Sequence, residues 1–169
     1  FVDSATGKIH NAAAIAHDGK LVGVYHKILL PTYGVFDEDR YFVPGDACPV
    51  YVVNGTAVGV NICEDIWYAA CPTIVQSAAG AEVIVNISGS PCYAGRRRER
   101  EEMLARRASD NGVFIAYNNL VGGQDELVFD GGSMVFNPDG QLIASASQFE
   151  EQMLAVDLDV GDFFDTGAA

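Results

Sequence analysis

Residues 59–67 read GVNICEDIW. The run Val58 to Ile62 is apolar and β-branched, which suits a strand, and it stops at Cys63, followed at once by the acids Glu64 and Asp65. Working outward, small and apolar residues from Tyr68 (Ala69, Ala70, Ile74, Val75, Ala78) predict a helix that ends at Gly80. EVIVNIS (82–88) then reads as a short apolar strand, GRRREREEMLARRASDNG (95–112) as a helix and VFIAYNNL (113–120) as another buried strand. The middle of the chain is therefore strand–cysteine–helix–strand–helix–strand.

The flanks read differently. Asp18-Gly19, Asn54-Gly55 and Pro138-Asp139-Gly140 each separate two β-rich runs, and Asn/Asp-Gly tolerates the positive φ that a tight hairpin needs. Hairpins flanking a helix-and-strand centre predict a layered α/β (α+β) sandwich with helices covering sheet faces. With 169 residues, the chain suffices for one sizeable core; residues 1–160 read as the domain and GDFFDTGAA (161–169) as a tail or the start of a linker.

Ten Lys and Arg against 23 Asp and Glu leave a net charge of −13, which argues against nucleic acid or an anionic membrane as partner. Six of the ten basic residues are arginines between Arg96 and Arg107. Acids are interleaved with them, so Arg97/Glu101, Arg98/Glu102 and Glu102/Arg106 predict a solvated helix whose charges pair along its own face, with Met103, Leu104 and Ala108 turned inward. Four cysteines without a Cys-x-x-Cys pair, and three scattered histidines, predict a reduced cytoplasmic protein with no metal site. No segment approaches the roughly 18 apolar residues of a membrane span, and no signal-peptide pattern is present.

Cys63 raises a chemical question. Adjacent carboxylates disfavour a thiolate, so Cys63 is either an inert core thiol or a nucleophile activated from elsewhere in the chain. At a sharp strand-to-helix turn its side chain would be exposed, with the following backbone N–H groups facing a developing oxyanion. A second stretch bears on the choice: YHKILLPTYGVFDEDRYFVPG (25–45) places Lys27 at the end of an alternating strand and follows it with an aromatic, acidic loop. Such a loop packs on something or lines a pocket.

KILLPTYGVFDEDRYFVPG, GVNICEDIW and NISGSPCYAGRRRERE, in this order, resemble the nitrilase (carbon–nitrogen hydrolase) superfamily, and more narrowly the glutaminase domain of glutamine-dependent NAD synthetases. The resemblance runs from about Asn11 to Asp159. It implies a four-layer αββα nitrilase-like sandwich and a Glu–Lys–Cys triad that hydrolyses an amide through a thioester. Cys63 then matches the nucleophile, Lys27 the catalytic lysine and Glu38 a second glutamate near that lysine; a plain salt bridge of Glu38 with Arg40 or Lys27 is the alternative for Glu38. The same resemblance assigns Glu64 and Tyr33 to the head of a glutamine substrate, with Ser90 and Arg96 at the far side. Phe36 and Trp67 are candidates for the pocket wall, Trp67 equally for the core. Cys48, Cys71 and Cys92 are left as structural or incidental thiols.

The resemblance also marks departures. The general-base glutamate belongs to an N-terminal portion with no counterpart here, and neither Asp3 nor Asp18 sits in a matching motif. This partial domain is therefore expected to lie within a longer parent, to be inactive or severely impaired alone and to leave a sheet edge unpaired. Neither GGQDE (122–126) nor GGSM (131–134) forms a phosphate loop, so no cofactor is expected for this domain; ATP and magnesium would serve only a synthetase domain elsewhere in the parent chain. A homo-oligomer is implied by the family. Two alternatives stay open: a free-standing amidase for a small amide or carbamoyl substrate, and a non-catalytic nitrilase-like module.

Overall fold

Asp18 and Gly19, at φ 48° and 72°, turn the chain between β1 (Ala12–His17) and β2 (Lys20–His26). Asn54 and Gly55, at φ 51° and 89°, do the same between β3 (Val50–Val53) and β4 (Thr56–Ile62). The structure, a computed structural model, describes residues 1–70 and 72–160. The expected tail or linker at 161–169 and the thiol of Cys71 lie outside the described residues.

Beyond β4 the chain makes a 3-10 turn (Cys63–Ile66), helix α1 (Thr73–Ala78), β5 (Val83–Ser88), helix α2 (Arg96–Asn111) and β6 (Phe114–Asn119). A small hairpin, β7 (Val121–Gln124) with β8 (Leu127–Asp130), precedes β9 (Met134–Phe136) and β10 (Leu142–Ser145). The main sheet has the order β10-β9-β6-β5-β4-β3, with β4, β5 and β6 parallel and the outer neighbours antiparallel.

Strand alternation divides the sheet into two faces. Ile84, Ile115, Tyr117, Met134 and Phe136 point to one side and pack with Leu104 and Ala108 of α2. Val60 and Ile62 point to the other and pack with Ala13, Ile15 and Tyr25 of the β1–β2 hairpin. The result is helices, a six-stranded sheet and a two-stranded sheet in successive layers, the expected layered α/β sandwich in partial form.

Three local expectations need correction. The helix expected over 68–80 is confined to Thr73–Ala78, because Pro72 stands at its N-cap and disfavours helical backbone ahead of it. Its stop at Gly80 (φ 93°) is as expected. The β7–β8 hairpin was not foreseen, since Gly122 and Gly123 give β7 little strand propensity; Asp125 at φ 51° makes the turn.

The third concerns α2, capped by Gly95 and Gly112 at φ 88° and 62°. It is only in part a solvated helix of self-paired charges, with Arg96 to Glu99 at 3.4 Å among the pairs along its own face. Arg98 does pair with Glu102 at 2.8 Å, but Arg97 turns to Ser145 Oγ at 3.2 Å, and Arg100 and Arg107 are buried. Arg96, Arg100 and Arg107 share the inward stripe with Met103, Leu104 and Ala108.

Candidate active site

The parallel strand β4 delivers Cys63 to the end of the sheet, where its φ of 46° breaks the extended backbone of Ile62 (φ −124°). A non-glycine residue held left-handed costs of order 1–3 kcal/mol and persists only where its surroundings enforce it. Here they do. Asp65 Oδ2 accepts the Ile62 N–H at 3.0 Å, Asn86 Nδ2 donates to the Cys63 carbonyl at 3.4 Å, and Trp67 N–H returns to the Glu64 carbonyl at 3.0 Å. Arg107 holds the far end of the turn, donating from Nε to the Ile66 carbonyl (3.1 Å) and from a terminal nitrogen to that of Trp67 (2.8 Å). Because the 3-10 turn opens at Cys63, the first N–H groups of that turn have no partner within it.

Lys27 follows directly on β2 and is 1% exposed. Its Nζ donates to Glu38 Oε1 at 2.6 Å, and Asn11 Nδ2 donates to Glu38 Oε2 at 3.3 Å. The salt bridge raised as an alternative for Glu38 is thus present with Lys27, while Arg40 pairs with Asp37. A role for Glu38 in placing the ammonium is compatible with that bridge. Burial pushes the Cys63 thiol above its ordinary value; Lys27 pulls it back, Glu64 adds to the rise, and the Gly89 N–H favours the thiolate. Burial outweighs the pull of the ammonium on this thiol.

A cavity of about 370 Å³ opens at Cys63. Tyr33, Phe36, Glu64, Trp67 and Arg96 line it together with Cys63, so one pocket gathers six of the residues singled out in the sequence. Lys27, Glu38 and Ser90 are not in its wall. A larger cavity, about 630 Å³, lies over β5, β6 and β9 but holds no cysteine, lysine or arginine. Inside the smaller pocket, Tyr33 donates its hydroxyl to Glu64 Oε1 at 2.6 Å; burial and then that carboxylate keep the phenol protonated. The Arg96 guanidinium lies 3.8 Å above the Trp67 ring and 3.5 Å from Ser90 Oγ. Trp67 accordingly does both things foreseen for it, walling the pocket and packing on the core.

Several residues of this site were not recognised from sequence. Asp65, in sequence simply the second acid after Cys63, is fully buried, held above the ordinary carboxylate pKa by burial and pulled back by the Leu29 and Ile62 N–H groups and the Tyr25 hydroxyl. Asn61 and Asn86 are paired across β4 and β5 and joined at 2.7 Å, with Ser88 Oγ donating to Asn86 at 2.6 Å and Asn61 bonded to Thr73 and Gln76. A signal existed: VGVNI and VIVNI carry an asparagine at the same place in two otherwise apolar strands. Buried amides are retained where they are satisfied.

These thiol electrostatics predict a pH profile. Alkylation of Cys63 by a small neutral reagent should keep rising from neutral into alkaline solution, because only the thiolate reacts and its pKa is raised. A rate already level below neutrality would contradict the dominance of burial. Among the described residues, no group of three His, Cys, Asp or Glu is placed to hold a metal ion, and no helix is long and apolar enough to cross a membrane.

Residues 2–166 match the carbon-nitrogen hydrolase family. The chain belongs to that family. Relatives of this carbon–nitrogen hydrolase include the glutamine-dependent NAD(+) synthetase of Aquifex aeolicus, 49% identical over 154 residues, which cover 91% of this chain and 27% of that protein. The protein of the same name from Thermotoga maritima is 48% identical over 163 residues, covering 96% of this chain and 28% of its own length. Among solved structures, the glutamine-dependent NAD+ synthetase of Acinetobacter baumannii superimposes with a TM-score of 0.82 at 38% identity, over 88% of this chain and 28% of that one. The chain thus spans less than a third of the length of the relatives it matches.

Proposed function

We propose that this chain is the amide-hydrolysing part of a glutamine-dependent NAD synthetase, releasing ammonia for a synthetase domain of the parent protein. One observation carries this: Cys63, on its left-handed turn, opens into a pocket that offers an acid, Glu64, and a guanidinium, Arg96, beside the ion pair of buried Lys27 with half-buried Glu38. Glutamine presents an α-ammonium and an α-carboxylate, and the pocket has the complementary charges. Glu64, braced by Tyr33, would take the ammonium; Arg96, flattened on Trp67 and near Ser90, would take the carboxylate. Phe36 packs edge-on to Tyr33 at 6.4 Å in the same wall.

The reaction then runs in two halves. The Cys63 thiolate attacks the side-chain amide carbon, and the charge moves to the carbonyl oxygen. Lys27 and the Glu64 N–H are the candidates to stabilise that oxyanion. The C–N bond breaks as a general acid protonates the nitrogen, ammonia leaves, and water cleaves the thioester to give glutamate and free Cys63. The family resemblance implies a glutamate as that proton carrier. ATP and magnesium belong with the synthetase domain, and the chemistry proposed for this part needs neither.

Lys27→Met tests the assignment. Acylation of Cys63 by a glutamine-like diazo-ketone should slow by about 10²–10³-fold, the usual scale for losing one oxyanion-stabilising group. It should do so without unfolding the domain, since Met replaces the lysine stem in kind. Unchanged labelling would remove Lys27 from the mechanism. Faster turnover of an amide lacking the α-amino group would instead make the protein a general amidase.

A further inference from the structure

We propose that Asp65 is a positioning residue whose carboxylate locks the segment presenting Lys27 onto the turn presenting Cys63. The inference rests on the glutaminase reading above. Asp65 is fully buried and gathers four hydrogen bonds from two separate stretches of chain, residues 25–29 and Ile62. Oδ1 accepts the N–H groups of Ile28 (3.2 Å) and Leu29 (2.8 Å), the two residues that follow Lys27. Oδ2 accepts the hydroxyl of Tyr25 at 2.7 Å, two residues before Lys27, and the N–H of Ile62 at 3.0 Å, just before Cys63. The lysine and the cysteine are thus bracketed by bonds to one carboxylate that itself lies two residues beyond the cysteine.

The donor pattern explains why the side chain is an acid. Three of the four partners are backbone N–H groups, which only donate, and an ionised carboxylate only accepts. An amide of the same shape would turn an NH₂ toward at least one of these donors. Burying a carboxylate is costly unless it is paired, and Lys27 supplies the compensating charge nearby. The lysine's other acidic neighbour, Glu38, fixes its tip at 2.6 Å, whereas Asp65 holds the backbone that follows it and the Tyr25 side chain that precedes it. Glu38 aims the ammonium; Asp65 sets where it starts from.

The test uses the parent protein carrying Asp65→Asn, Tyr25→Phe and, for comparison, Lys27→Met. In Asp65→Asn, kcat for glutamine hydrolysis should fall by about a hundredfold, the scale of a misplacement near 1 Å. KM should stay within about twofold, because Tyr33, Glu64, Trp67 and Arg96 are untouched. Tyr25→Phe removes one donor and should lower kcat by roughly threefold to tenfold. Alkylation of Cys63 by iodoacetamide gives a second reading that does not depend on glutamine. Loss of a negative charge alone would speed it, whereas displacement of Lys27 slows it; the slowing should vanish when Asp65→Asn is added to Lys27→Met. Wild-type kcat in Asp65→Asn, or faster alkylation, would overturn the proposal. If Asp65→Asn does not fold, Tyr25→Phe decides: unchanged kcat and alkylation overturn it. A parent protein that never hydrolyses glutamine, yet shows the slowed alkylation, would reject the glutaminase reading and leave the positioning role standing.

Discussion

Cys63→Ala in the parent protein should abolish glutamine-dependent synthesis while leaving synthesis from free ammonia intact. The expected fall is at least about 10⁴-fold, since removing the atom that forms the covalent intermediate removes the route itself. The substitution is small, and the left-handed backbone at Cys63 is held by Asp65, Asn86 and Arg107 through main-chain groups that alanine keeps. Fold and pocket should survive. Paired assays with glutamine and with ammonium check this on one preparation. Loss of both activities would make Cys63 structural and reject its role as nucleophile.

Arg100→Met should destabilise the domain by about 3–5 kcal/mol, the cost of leaving one member of a buried ion pair alone. Arg100 and Asp130 are both fully buried, joined at 2.9 Å, and Arg100 also reaches the Gly131 carbonyl at 3.3 Å. Asp130 further accepts Gln148 Nε2 at 2.6 Å, so the pair ties α2 to β8 and to the segment after β10. Arg98→Ala is the matched control: its bridge to Glu102 is exposed, and its loss should cost only about 0.3–0.5 kcal/mol. Denaturant unfolding of the two variants separates them. Equal midpoints would mean that the arginine-rich helix is a solvated one after all.

The same pair predicts acid sensitivity. Burial pushes the Asp130 carboxyl up, but its bonds to Arg100 and Gln148 win and hold it below the ordinary range. A carboxylate depressed in the folded state contributes stability above its unfolded pKa and loses it as pH falls through the folded one. That acid-dependent portion of stability should disappear in Arg100→Met.

The arginine-rich helix shows where sequence and structure part company. Its existence over 95–112 and its inward apolar residues Leu104 and Ala108 were legible, because propensity and periodicity are local. Which arginines face inward was not, because burying a guanidinium depends on partners 30 and 41 residues away along the chain: Asp130 for Arg100 and the Ile66 carbonyl for Arg107. An inward stripe containing arginine looks in sequence like a polar face. Asp65 went unrecognised for the same reason, its donors lying 36 to 40 residues earlier except for Ile62.

By itself the sequence determined the hairpins at Asp18-Gly19, Asn54-Gly55 and Pro138-Asp139-Gly140, the strand ending at Cys63 and the motifs that mark a carbon–nitrogen hydrolase. These rest on backbone preferences within a few residues and on chemistry written in order along the chain. Only the tertiary structure decided that Tyr33, Phe36, Glu64, Trp67 and Arg96 share one pocket with Cys63, that Lys27 stands behind it on Glu38, and that burial overrides the lysine's pull on the thiol. Desolvation and ion pairing depend on what surrounds a group in space, and a linear order of residues does not contain that.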